Sequence, residues 1–289
     1  MARLTPDERI AQLIMVVAYS NRDAAHVQEI TDLIKKHKIG GLVFFQGGPV
    51  RQAQQTNYYQ SVSKVPLLVA IDGEWGLGMR LDSTISFPYQ MTLGAVQNDS
   101  LIYQMGAEVA RQCKRLGIHV NFAPVIDVNN NPRNPVIGFR SFGEDKENVA
   151  RKGIMYMRGM QDNRVITTAK HFPGHGDTDV DSHYDLPVIK KSRQELDSME
   201  FYPYRRIIAA GAGGVMVSHL SIPALDTARN VPSTLSKATL TGVLRKDLNF
   251  TGLVFTDAMN MKGVTKFYAP GVADAKAILA GVDVLEFTE

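Results

Sequence analysis

The sequence predicts an α/β protein folded as a (β/α)8 TIM-type barrel, on three observations. Eight short apolar runs rich in β-branched residues recur along the 289 residues. Longer helix-patterned segments separate them, and polar residues gather where the runs end. Alternation of this kind marks repeated βα units around a parallel sheet, whose strands are apolar because both faces are buried. A doubly wound open sheet is the competing architecture, but no G-x-G-x-x-G follows the first run, so its dinucleotide-binding version has no fingerprint.

The elements follow in order. Thr5-Pro6-Asp7-Glu8 opens a helix near residue 6, with Thr as cap, proline at the first helical position and Glu placed to return the hydrogen bond. Strands are expected at 13–18 (LIMVVA), 40–45 (GGLVFF), 66–71 (PLLVAI) and 119–126 (HVNFAPVI). Four more are expected at 166–171 (ITTAKH), 214–219 (GVMVSH), 252–256 (GLVFT) and 282–287 (VDVLEF). No residues remain after the eighth for a closing helix, so the expected barrel lacks its last helix and is C-terminally truncated. Its final strand would then expose an apolar outer face unless another segment or subunit covers it. With no internal repeat or low-complexity linker, residues 1–289 read as one domain.

Composition narrows the function classes. Lys and Arg number 32 against 29 Asp and Glu, a net +3 without a basic run, so no nucleic-acid partner is expected. No apolar stretch approaches the ~20 residues that span a bilayer, and MARLTPDERIAQL lacks a signal peptide's apolar segment, so no membrane insertion is expected. The lone Cys113 cannot form an internal bridge. A chain this long needs none, since folding removes roughly three quarters of its surface from water.

Barrels of this type carry their reactive groups on the loops after the strands. Here the third run ends in Asp72-Gly73-Glu74-Trp75, the fourth in Asp127, the fifth in Lys170-His171, the sixth in Ser218-His219 and the seventh in Asp257. One such Asp is commonly a turn cap; a ring of them predicts a site. The densest stretch is Lys170 to Pro187, KHFPGHGDTDVDSHYDLP. Asp177, Asp179 and Asp181 have the spacing of a calcium loop, but Ser182 stands where glycine is required and Val188 where glutamate is. His171, His175 and His183 include no H-x-H or H-E-x-x-H pairing, so no metal is expected. His175 and Asp177 read as caps on the loop's own backbone. Asp181 and His183 differ: residues two apart in an extended chain point to one side, with Cα atoms about 6–7 Å apart. A carboxylate on one imidazole nitrogen leaves the other free to exchange a proton near neutral pH, which is a general acid/base with its orienting partner.

These residues resemble glycoside hydrolase family 3, in its β-N-acetylglucosaminidase branch. That branch carries K-H-F-P-G-H-G followed by D-S-H, matched by Lys170 to Gly176 and Asp181-Ser182-His183. The likeness extends through D-G-E at Asp72, F-A-P-V-x-D-V at Phe122 to Val128, R-S-F-G at Arg140 to Gly143, and F-T-D-A-M at Phe255 to Met259. It implies a retaining exo-β-N-acetylglucosaminidase with no cofactor and a carbohydrate substrate, of the cell-wall muropeptide kind. Asp257 would be the nucleophile, although it could also cap a helix beginning at Ala258. His183 would be the acid/base supported by Asp181, while Asp72, Arg140, Lys170 and His171 would bind the sugar. Trp75 reads equally as a sugar platform or as packing under its loop. Many relatives have Q-E-G-G where this chain has Gly73-Glu74-Trp75-Gly76, which alters the pocket wall. The resemblance allows a further, covalently linked C-terminal domain and a bacterial cytoplasmic or periplasmic location. A metal-dependent barrel hydrolase and a non-catalytic carbohydrate-binding barrel are the alternatives.

Overall fold

A computed structural model describes residues 4–179, 181 and 184–288. Its eight strands are β1 (Ile14–Tyr19), β2 (Gly41–Gln46), β3 (Leu68–Ile71), β4 (Val120–Asn121), β5 (Ile166–Phe172), β6 (Gly214–Val217), β7 (Leu253–Thr256) and β8 (Leu285–Glu286). All pairings are parallel, in the order β7-β6-β5-β4-β3-β2-β1-β8. A parallel bridge between Phe255 and Val284 joins β7 to β8 and brings the sheet round into the expected (β/α)8 barrel.

The helices are α1 (Pro6–Ala11), α2 (Ala24–Asp32), α3 (Pro49–Val62), α4 (Gln90–Gly94), α5 (Ser100–Arg115), α6 (Lys146–Gln161), α7 (Arg193–Ser198) and α8 (Phe201–Ala209). A π-helical segment at Ala238–Asp247 precedes α9 (Lys262–Thr265) and α10 (Val272–Ala280). The first helix starts where its sequence says. The Glu8 N–H donates to Thr5 Oγ1 at 3.2 Å and the Thr5 N–H donates to Glu8 Oε2 at 3.0 Å.

Strand alternation sorts the core into two layers. Met15, Val43, Ala70, Val120, Phe122, Met216, Phe255 and Val284 fill the barrel interior. Their outward neighbours, among them Leu42, Val69, Val215 and Val254, pack against the helices. Each such side chain, fully buried, contributes about 1.5–3 kcal/mol. Leu285, on the outward side of β8, is only 4% exposed and belongs to the layer that includes Ala277 and Ala280 of α10. The bare final strand face considered from sequence is therefore covered. Outside the barrel, α5 and α6 cross closely at Gly106 and Gly159. A Cβ on Gly159 would stand 2.1 Å from the Tyr103 carbonyl oxygen, so the crossing needs glycine there.

The fourth strand is shorter than expected. It spans Val120–Asn121 instead of 119–126, with one further bridge from Val125 to Lys170. Pro124 brings no N–H to the ladder, and the Ala123 N–H turns back to the Asn121 carbonyl at 2.9 Å. The chain thereby bends over the barrel end, where Asp127 can face β5.

Candidate functional site

A cavity of about 550 Å3 opens at the carboxyl ends of the strands. Its wall is divided by chemistry: Phe45, Trp75, Met79, Phe122 and Phe139 supply apolar surface, and Asp72, Arg80, Arg140, Lys170, His171, Asp257 and Glu286 supply polar groups. A sugar ring, with apolar C–H faces and a polar equator, has the same division. Trp75 packs edge-on against Tyr89 with ring centroids 4.8 Å apart and also lines the cavity.

The polar wall is an ion-pair lattice. Lys170 Nζ lies 2.6 Å from Asp72 Oδ1 and 2.8 Å from Glu74 Oε1. Arg140 clamps Glu74 with both arms, Nε to Oε2 at 3.0 Å and an Nη to Oε1 at 2.6 Å, and Arg80 closes on the second oxygen of Asp72. Burial works against each charge, but the lattice wins. Lys170 and Arg80 hold the Asp72 carboxyl well below the usual range, Arg140 and Lys170 do the same for Glu74, and the two carboxylates raise Lys170. The residues assigned from sequence to this wall are thus locked together with Glu74 and Arg80, which fixes their donors and acceptors in advance.

Asp127 organises the next layer. Its carboxylate accepts the His171 N–H at 3.1 Å, the His171 Nδ1–H at 2.7 Å and the His175 N–H at 2.7 Å. Arg140 lies 3.1 Å from His171 Nε2 and can only donate, so Nε2 accepts and the ring hydrogen sits on Nδ1. One buried aspartate therefore sets both the loop backbone and the histidine tautomer. Burial opposes its charge, but His171 and His175 keep its carboxyl below the ordinary value.

His175 is more than the backbone cap expected of it. Its Nδ1 meets Thr178 Oγ1 at 2.8 Å, yet it also lines the cavity beside His171. Burial, reinforced by His171, pushes it down to about 4. Asp177 pairs with Lys191 at 3.2 Å, and among the described residues it makes no hydrogen bond to its own loop's backbone. Asp179 accepts a hydrogen bond from the Asn131 side chain at 2.7 Å. Gly176 lets the loop lie against the strand end; a Cβ there would fall 1.8 Å from the Val128 carbonyl oxygen.

Asp257 follows β7 and faces the cavity. The Ala258 N–H donates to its Oδ1 at 2.8 Å, but no helix begins there: α9 starts at Lys262, so the expected helix cap is a local turn contact. Burial raises its carboxyl, yet His219, His171 and the Ala258 N–H outweigh this and hold it below the ordinary value.

Residues 5–288 match the glycosyl hydrolase family 3 N terminal domain. The chain belongs to glycosyl hydrolase family 3. It is 36% identical over 279 residues to beta-hexosaminidase A of Pseudoalteromonas piscicida, covering 89% of this chain and 47% of that one. It is 31% identical to beta-hexosaminidase LpqI of Mycobacterium tuberculosis, over 98% of this chain and 73% of that one. Among solved structures, a family 3 β-N-acetylglucosaminidase from Paenibacillus sp. str. FPU-7 superposes with a TM-score of 0.91 at 37% identity, covering 98% of this chain and 55% of that one. The beta-glucoside phosphorylase BglX superposes with a TM-score of 0.93 at 29% identity, covering 100% and 53%. The chain spans about half the length of the first curated relatives it matches, 47% and 52%.

In this family 3 domain, Asp72, Lys170, His171 and Asp257 come together around one cavity, as their strand-end positions predicted, and Arg140, expected from the resemblance alone, lines it with them. Asp181 is half-buried, its carbonyl accepting the Tyr184 and Asp185 N–H groups at 3.0 and 3.2 Å, and it is not among the described residues lining the cavity. His183 and Ser182 lie outside the described residues. Sequence reasoning did not single out Glu74, Arg80 or Glu286. Glu74 had a signal, two residues after Asp72 and so on the same side of an extended chain. Glu286 had another, a lone charge in the apolar run VDVLEF. Arg80 had none, because its contact with Asp72 depends on the loop's return.

Proposed function

We propose that the chain is the catalytic barrel of a retaining exo-β-N-acetylglucosaminidase, releasing terminal N-acetylglucosamine from β-linked substrates of the cell-wall muropeptide kind. Hydrolysis by double displacement needs a carboxylate that stays ionised beside the sugar and a second group that alternates between acid and base. In this reading Asp257 attacks the anomeric carbon and carries the glycosyl group. His183 protonates the departing oxygen and then takes a proton from water, with Asp181 holding its ring. Asp72, Arg140, Lys170 and His171 hold the sugar's hydroxyls and acetamide.

The observation that carries the reading is Asp257 itself. It is a carboxyl held toward its ionised form at the edge of a sugar-sized cavity, facing a lattice of fixed donors and acceptors. The relatives named beta-hexosaminidase and β-N-acetylglucosaminidase support the choice of sugar.

The test is release of nitrophenol from its N-acetyl-β-glucosaminide. Asp257→Ala is expected to lower kcat by about a thousandfold or more; an unchanged rate would remove the assignment. The likeness to a phosphorylase gives one variant a specific basis. A neutral histidine base repels an anionic acceptor less than a carboxylate does. Sugar 1-phosphate formed in phosphate buffer would make the acceptor phosphate, and its absence would leave water.

A further inference from the structure

The mechanism above does not use Glu286. It ends β8, its side chain is 2% exposed, and it lines the cavity next to Asp257. Its backbone is fixed on both sides, with its N–H donating to Thr256 Oγ1 at 2.9 Å and its carbonyl accepting the Met259 N–H at 2.9 Å. The same contacts tie it to the turn that carries Asp257. Its Oε1 is fully buried with no hydrogen-bond partner among the described residues. A buried carboxyl oxygen without a partner disfavours the charged form of the acid.

The charges around it have already been assigned. Lys170 is shared between Asp72 and Glu74, Arg80 is bound to Asp72, and Arg140 to Glu74. His171 is held by Asp127 and Arg140, His175 meets Thr178, and β1 offers only the Tyr19 phenol. Among the described residues, Asp257 and Glu286 are the two cavity carboxyls without an ion pair, and they follow adjacent strands. Two neighbouring carboxyls without a direct ion pair do not both ionise readily, and the environment sets which one keeps its proton. Asp257 receives the Ala258 N–H, which favours its charge. Burial, reinforced by Asp257 and Asp72, raises Glu286 well above the ordinary range.

We propose that Glu286 is a sugar-binding residue that works as a neutral carboxylic acid, donating a hydrogen bond to an oxygen of the glycone beside Asp257. The inference rests on the reading of this cavity as the glycone site. An ionised carboxylate here would only accept from the sugar and would place a second negative charge beside Asp257. The neutral acid donates and leaves the Asp257 charge undisturbed.

Infrared difference spectroscopy and calorimetry on the protein, with N-acetylglucosamine as probe, test it. At neutral pH, wild type minus E286Q is expected to show the C=O band of a protonated carboxyl, and that band is expected to shift when the sugar is added. E286Q, which keeps a neutral donor, is expected to bind the sugar within a few fold of wild type. E286A is expected to bind it roughly tenfold more weakly, with melting temperatures of both variants confirming that they fold. The proposal is overturned if the protonated band is missing while wild type binds sugar, if the band ignores the sugar, or if E286A binds as tightly as wild type. A protonated band in a protein that binds no sugar would instead overturn the glycosidase reading and leave the neutral carboxyl standing.

Discussion

At the scale of single residues, the site depends on mutual satisfaction of buried charge. Glu74 is fully buried and holds Arg140 by two hydrogen bonds and Lys170 by a third contact. Glu74→Ala would leave both cations short of a counter-charge, and removing one partner of a buried pair costs about 3–5 kcal/mol. Denaturant unfolding should show a loss of that order, with KM for the sugar rising as Arg140 loses its anchor. A loss below about 1 kcal/mol would mean that water replaces the carboxylate. This lattice was only half legible in the sequence. Asp72, Lys170, His171 and Asp257 stand where apolar runs stop, and that position alone marked them. Of the partners that fix them, Glu74 could be read from its place two residues after Asp72, whereas Arg80 comes from a loop whose return path no local pattern encodes. Glu286 could have been found by the rule that found Asp257, since both are acids at the end of a buried strand.

At the scale of elements, the loop after β5 meets the end of β4 through Asp127 and through a glycine contact too close for any side chain. Gly176→Ala would drive a methyl group into the Val128 carbonyl. Relief requires moving either the strand end or the histidine loop, and overpacking of this kind costs about 1–3 kcal/mol. The expected outcome is a lower melting temperature together with reduced activity, because the same loop carries His175 and continues directly from His171 at the end of β5. A variant with wild-type stability and activity would show that the two segments are not rigidly seated. All eight strands were predicted from composition and punctuation, since buried parallel strands are continuous apolar runs. Their lengths were less legible. The fourth run looked eight residues long because its apolar pattern continues through Pro124, while the regular strand ends at Asn121 and resumes only as the single Val125–Lys170 bridge.

At the scale of the whole molecule, the ionisable groups predict the response to acid. His175 has a folded value of about 4 against 6.5 for an ordinary histidine. The unfolded chain therefore takes up its proton first, and stability is lost as pH falls from about 6.5 to about 4. Asp72, Glu74, Asp127 and Asp257 have lowered folded values, so their contribution is present above about pH 4 and is lost as pH falls through the folded values. Glu286 has the opposite sign, its contribution being present below about pH 4 and lost as pH rises toward its raised folded value. Between pH 7 and 4 His175 and Glu286 act in opposite directions, whereas below about pH 4 the four carboxyls act together, so the melting temperature should fall steeply only below pH 4. A flat profile down to pH 3 would contradict the site electrostatics. Cys113 offers a check on global folding. Burial pushes its thiol up to about 12, so a thiol reagent at pH 8 should label it only after unfolding.

Covalent attachment of the sugar to Asp257 is the proposed step on which the mechanism turns, and mechanism-based trapping measures it. The protein would be incubated with a 5-fluoro N-acetylglucosaminide bearing an activated leaving group, digested, and the labelled peptide sequenced. One glycosyl group per chain is expected, on Asp257. A label on any other residue, or turnover of the reagent with no labelled intermediate at any time, would contradict it.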